Sequence, residues 1–134
     1  MVLGKPGAGK SRLLADVMAL GARLIADDQV ALNVQSGMLM AGAPKELSTI
    51  MELRGMGLVR ITDAIPRHVL HLVVELSAAE PERLPGQRTT VIEGHTLPLL
   101  ALQSPPGTSA AALLIYIRAM QEGRILPTDW RPQA

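Results

Sequence analysis

Three features of the sequence predict an α/β fold, a mixed β-sheet flanked by a few helices. A glycine-rich turn, Gly4-Lys5-Pro6-Gly7-Ala8-Gly9-Lys10-Ser11, stands between an apolar start and a stretch of helical spacing. Short apolar runs of strand period recur along the chain between Gly, Pro and Asp turn residues, and three stretches carry helical spacing instead. With 48% hydrophobic and 19% charged residues, the chain is expected to fold around a core rather than stay disordered. Its 134 residues suit a single domain, long enough to bury about two-thirds of its unfolded surface.

The glycine turn fits the spacing Gly, four residues, Gly, Lys, Ser without a mismatch. Glycines let the backbone wrap closely around a phosphate and turn several N–H groups inward. Ser11 then opens a helix whose N-terminal dipole favours the same anion. In this pattern Lys10 reaches the β- and γ-phosphates and the Ser11 hydroxyl ligates Mg²⁺, while Gly4, Gly7, Ala8 and Gly9 line the phosphates. A chance glycine turn is the alternative, but it has no need of an apolar run before it and a helix after it. Only Met1-Val2-Leu3 precedes the loop, fewer residues than the usual strand of about five to six, so its supporting strand is expected to be cut short.

Ser11 to Leu20 reads as a helix with Leu13, Leu14, Val17 and Met18 on its apolar stripe and Gly21 as its stop. Arg23-Leu24-Ile25-Ala26 reads as a short strand ending in Asp27-Asp28, which implies a parallel crossover from the first strand. Val30 to Val34 and Met38 to Ala41 flank Gln35-Ser36-Gly37 as a hairpin. Glu46 to Leu53 has the spacing of a short helix ending near Gly55, and Gly57 to Ile61 and Val69 to Leu76 read as strands. Ala78 to Arg88 reads as an exposed connection. Thr89 to Glu93 and Thr96 to Leu102 read as strands around a turn at Gly94-His95. Gln103-Ser104-Pro105-Pro106-Gly107 breaks the chain before a last helix, Ser109 to Glu122, capped by Thr108 or Ser109.

Composition narrows the function classes. Thirteen basic and twelve acidic side chains give a net charge of +1, and one Trp, one Tyr and no Phe supply no stacking platform, so no nucleic-acid partner is expected. No apolar run approaches the ~20 residues that cross a bilayer, so no membrane partner is expected. The absence of Cys removes disulfide, thiolate and Cys-zinc chemistry and agrees with a cytoplasmic setting.

Two carboxylates close to a phosphate loop point to phosphoryl transfer, where one Asp helps hold the Mg²⁺ shell or takes a proton from the attacking hydroxyl. Neighbouring residues on a strand point to opposite faces, so Asp27 and Asp28 are expected to do different jobs, and one of them can simply cap a turn. Glu52 and Arg54, in Met51-Glu52-Leu53-Arg54-Gly55-Met56-Gly57, form a surface ion pair at a helix end, or Arg54 stabilises phosphate charge in the transition state, since its fork suits phosphate oxygens. His71 within its apolar run reads as a strand-face residue rather than a catalyst.

The loop, Arg23-Leu24-Ile25-Ala26-Asp27-Asp28, and Met51-Glu52-Leu53-Arg54-Gly55-Met56-Gly57-Leu58-Val59 together resemble the catalytic domain of HPr kinase/phosphorylase, in its short alphaproteobacterial form without a separate N-terminal domain. The resemblance is strongest over residues 3–61 and implies a phosphate-loop (P-loop) kinase-like domain over residues 1–134. The family phosphorylates a serine of the carrier protein HPr with ATP and Mg²⁺, and many members reverse this by phosphorolysis. By motif, the resemblance makes Lys10 the phosphate-binding lysine, Asp28 the proton acceptor, Ser11 and Glu52 the magnesium ligands and Arg54 a nucleotide contact. It also makes Arg83 an active-site arginine of a mobile loop. Family members are commonly hexamers. The family's upstream histidine has no counterpart before Lys10, and its arginine-bearing glycine loop is Pro105-Pro106-Gly107-Thr108 here, without a cation. These departures open an alternative reading, a nucleotide- or phosphate-binding regulatory module of the same fold with impaired catalysis.

Overall fold

The chain's alternating apolar residues assemble into one mixed sheet with helices on one face and a hairpin layer on the other. A computed structural model describes residues 1–44, 49–107 and 109–133. β1 (Val2–Leu3) leads through the glycine loop into α1 (Lys10–Ala19). β2 (Ala31–Gln35), β3 (Met38–Gly42) and β6 (Arg67–Val69) form an antiparallel three-stranded sheet, and β4 (Ile50–Leu53) pairs with β5 (Gly57–Arg60). β7 (Val73–Ser77), β9 (His95–Gln103) and β8 (Thr89–Ile92) join β1 in the main sheet, in the order β1-β7-β9-β8. α2 (Ser109–Gln121) follows β9. No helix among the described residues is long and apolar enough to cross a membrane.

β1, β7 and β9 run parallel and β8 runs antiparallel to β9. Two residues make a weak strand, but the Val74 N–H also donates to the Met1 carbonyl at 2.8 Å, which lengthens the pairing. Strand alternation divides the core in two. Leu72, Val74 and Leu76 pack under Leu13 of α1 and Ala110 and Leu113 of α2. On the opposite face Val73 and Leu97 meet Leu39 and Leu70, which belong to the hairpin layer and its continuation.

The β2–β3 hairpin forms where the sequence places it, with Ser36 and Gly37 at φ 51° and 77° in the two-residue turn. Positive φ at both central positions matches the right-handed twist of the strands, which is why Gly follows a small polar residue there. The turn between β8 and β9 uses Glu93 and Gly94 in the same way, so His95 begins the strand instead of completing the turn.

Three expectations are corrected. Arg23 to Ala26 is not a strand: Gly21, at φ 105°, turns the chain, and the Leu24 carbonyl, accepting from the Ile65 N–H at 2.9 Å, makes one bond and no ladder. The parallel partner of β1 is therefore β7. Ile50 to Leu53 is a strand, not the end of a helix, because the turn at Arg54 to Met56 returns the chain as β5 and pairs Glu52 with Leu58; the start of the expected helix, 46–48, lies outside the described residues. The apolar run Val69 to Leu76 serves two sheets. It leaves β3 after Val69, crosses at Leu70 to Leu72 with His71 exposed, and enters the main sheet at Val73. His71 packs edge-on against His68, with ring centroids 5.7 Å apart.

His95 ties the two turns together, with Nδ1 on the Glu93 carbonyl at 3.0 Å and Nε2 on the Gly37 carbonyl at 3.1 Å. Only the doubly protonated ring donates to both, and these carbonyls, Glu93 first, raise its pKa above 6.5. The stabilisation is thus fully present below 6.5 and is lost as pH rises through the raised folded value. Thermal melting from pH 5.5 to 8.5 should show a loss of stability over that interval that His95→Gln abolishes; an identical profile in the variant would contradict the bridge. In the main core, Leu13 is fully buried, and Leu13→Ala should cost about 3 kcal/mol in urea unfolding, a loss under about 1 kcal/mol refuting its place there.

Candidate active site

The glycine loop follows β1 and therefore emerges at the carboxyl edge of the parallel strands, the position at which open α/β sheets place their ligands. Its shape depends on positive φ at Gly7 (81°) and Gly9 (100°), values a side chain would strain. The Ala8 N–H closes a turn on the Lys5 carbonyl at 3.0 Å. Space excludes a side chain at Gly9, where a Cβ would stand 2.6 Å from Pro106 Cδ, and is tight at Gly4, where one would stand 3.1 Å from Ala8 Cβ and 3.3 Å from Leu76 Cβ. The loop is thus pressed against the ends of β7 and β9.

Lys10 and Ser11 open α1. The Lys10 ammonium bends back over the loop and donates to the Gly4 carbonyl at 2.6 Å and the Lys5 carbonyl at 3.2 Å. The Ser11 hydroxyl donates to Asp27 Oδ1 at 2.9 Å. This contact was not foreseen in the sequence, which assigned the working carboxylate to Asp28. Because residues 23–26 are not a strand, the bend at Asp27 and Asp28 folds back toward the start of α1, with Asp27 half-buried and Asp28 exposed beside it. The acidic pair was the available signal.

Glu52 and Arg54 are exposed on β4 and in the following turn; β4 lies beside α1, and Met51 next to Glu52 is buried. Ion pairing between Glu52 and Arg54 is not seen. Arg83 lies exposed in the connection from β7 to β8. Among the described residues no three His, Asp or Glu side chains converge as a ready metal cage. Mg²⁺, however, is commonly held by one or two carboxylates together with substrate phosphates and water. The Ser11 hydroxyl and the Asp27 carboxylate are hard oxygen donors already in contact, and this pair fits that ion.

The segment after β9 completes the wall of the loop. The Ser104 N–H donates to the Ser77 carbonyl at 2.8 Å and its Oγ donates to the Ala8 carbonyl at 2.6 Å, while Pro106 is buried against Gly9. From the sequence this stretch reads only as a break before the last helix.

Comparison with known proteins shows which proteins the chain is similar to. HPr kinase/phosphorylase of Chlorobium phaeobacteroides is 33% identical over 126 residues, covering 85% of this chain and 37% of the relative. That of Brevibacillus brevis is 31% identical over 132 residues, covering 90% of this chain and 42% of the relative. The chain thus spans about two-fifths of the length of these curated relatives. In fold it is similar to the HPr(Ser) kinase/phosphatase of Coxiella burnetii, with a TM-score of 0.74 and 23% identity over 91% of this chain and 84% of that one. The family profile of the HPr Serine kinase C-terminal domain matches residues 1–122, and the chain belongs to that family.

Proposed function

We propose that this domain binds ATP with Mg²⁺ at the glycine loop and transfers the terminal phosphoryl group to a serine of an HPr-like phosphocarrier protein in the cytoplasm. The observation that carries the reading is the Ser11–Asp27 contact at the head of α1, with a second carboxylate, Asp28, next in sequence. The family membership and the names of the relatives support the same substrate pair.

In this reading Lys10 leaves the Gly4 and Lys5 carbonyls and pairs with the β- and γ-phosphates, while the loop N–H groups hold their oxygens. The Ser11 hydroxyl donates its hydrogen bond to Asp27, so its oxygen lone pairs would remain for the metal. Ser11 and Asp27 would hold Mg²⁺, which when bound would neutralise charge developing on the phosphates. Asp28 accepts the proton of the carrier serine as that oxygen attacks the γ-phosphorus; the bond to the β-bridging oxygen breaks and ADP leaves. Glu52 is the second carboxylate for the metal, and Arg54 and Arg83 bring cations to the phosphates when the carrier docks. In phosphorolysis inorganic phosphate takes the place of ADP: its oxygen attacks the phosphoserine phosphorus, the serine oxygen leaves with the proton that Asp28 returns, and pyrophosphate is released. A homo-oligomer, a hexamer by resemblance, is the expected assembly.

One observation favours a second reading. The wall of the loop at Pro105, Pro106 and Gly107 carries no cation, which suits a domain that binds nucleotide and responds to it without transfer.

Labelled ATP, Mg²⁺ and a serine-bearing HPr-like protein separate the two: label on the carrier supports the kinase, and bound ATP without transfer supports the module. Asp28→Asn should keep ATP affinity within about twofold and reduce transfer by 10²-fold or more, on the order of the contribution of a general base; undiminished transfer removes Asp28 from that role. Lys10→Ala should weaken ATP binding at least about tenfold, the effect of losing a charged hydrogen bond of ~1.5–3 kcal/mol. Equal affinity in calorimetric titration would refute the loop assignment.

A further inference from the structure

We infer that Ser104 is a positioning residue of the phosphate loop, setting the direction of the Gly9 N–H through the carbonyl of Ala8. The inference rests on the proposed nucleotide site and adds a group from the opposite end of the chain. Ser104 lies 96 positions from Ala8 in sequence, at the exit of β9.

The Ala8 carbonyl and the Gly9 N–H belong to one planar trans peptide, so they point in opposite directions. A hydroxyl that holds the carbonyl fixes the N–H on the other side. Ser104 Oγ does this at 2.6 Å, in a half-buried position that limits competition from water. The hydroxyl is itself anchored, because the Ser104 N–H donates to the Ser77 carbonyl at the end of β7 at 2.8 Å. Two residues on, the buried Pro106 ring closes against Gly9, leaving no room for even a Cβ.

These contacts matter because the peptides on either side of a glycine are otherwise free to rotate. Gly9 at φ 100° and Gly7 at φ 81° lie where backbone preference alone selects no single direction for the N–H. With the carbonyl bonded, the same peptide is also polarised, which strengthens the Gly9 N–H as a donor to a phosphate oxygen. Ser104 touches neither nucleotide nor metal in this account. It acts through the loop, from a segment, Ser104-Pro105-Pro106-Gly107, that carries no cation.

The test uses the full chain and its Ser104→Ala and Ser104→Thr variants, titrated with ADP and ATP in Mg²⁺, with the Gly9 amide followed by ¹⁵N NMR and melting temperatures recorded alongside. Loss of one hydrogen bond predicts that Ser104→Ala weakens both nucleotides by about three- to tenfold. Its Gly9 amide resonance should shift in the free protein, and Ser104→Thr, which keeps a hydroxyl, should restore affinity and resonance together. Wild-type affinity in Ser104→Ala would overturn the inference, as would a loss that Ser104→Thr shares in proportion to its melting temperature. If the unaltered chain binds neither nucleotide, the nucleotide site itself falls and this inference with it, an outcome distinct from binding that is indifferent to Ser104.

Discussion

The contact of the glycine loop with the strand ends beneath it sets the geometry of everything around it. Gly4 approaches Leu76 on β7, Gly9 meets Pro106 beyond β9, and Ser104 holds the Ala8 carbonyl, so the loop is clamped at three points by elements far apart in sequence. A loop of this composition in isolation would sample many backbone states and lose much entropy on ordering around an anion. Packed against the sheet, it has lost most of that freedom before any ligand arrives. A side chain on Gly9 would overlap Pro106 and break the contact before it affected any chemistry.

The two-faced core explains how such a short β1 carries the site. Hydrogen bonds to β7 on one side, including the one to the Met1 carbonyl, and the packing of Val2 into the helix-side cluster hold the strand. α1 is held in turn by Leu13 and Val17 over the same cluster, which fixes the direction in which its N-terminus faces. The hairpin layer packs on the other face through Leu39 and Leu70, and Asp27 reaches Ser11 from the bend after α1. By contrast, the β4–β5 hairpin exposes Met56 and Leu58, 85% and 74% accessible, beside Arg54.

What could be read from the sequence follows from how local each signal is. The loop, α1, the β2–β3 hairpin and α2 are specified by spacing, turn glycines and a proline break within a few residues. Ile50-Met51-Glu52-Leu53 is too short for its apolar pattern to distinguish a helix from a strand, and the turn that decides it lies after it. Val69 to Leu76 reads as one strand because burial on both faces erases alternation, and nothing in the run marks the point where it changes sheets. In the site, the acidic pair was visible but its use was not: alternation along a strand put Asp27 and Asp28 on opposite faces, and the segment bends instead. Ser104 was hidden for another reason. A hydroxyl before two prolines carries no sign of the carbonyl it meets across the fold.

The central claim, that this clamped loop is the seat of a nucleotide's phosphates with Ser11 and Asp27 at the metal, is tested most directly by a crystal structure of the chain with ADP and Mg²⁺. The account predicts the β-phosphate within the loop, Lys10 Nζ moved from the Gly4 and Lys5 carbonyls onto phosphate oxygen, and Mg²⁺ at about 2.1 Å from Ser11 Oγ with Asp27 behind it. A nucleotide bound elsewhere, or a loop in which Lys10 keeps both carbonyls at full ADP occupancy, would contradict it.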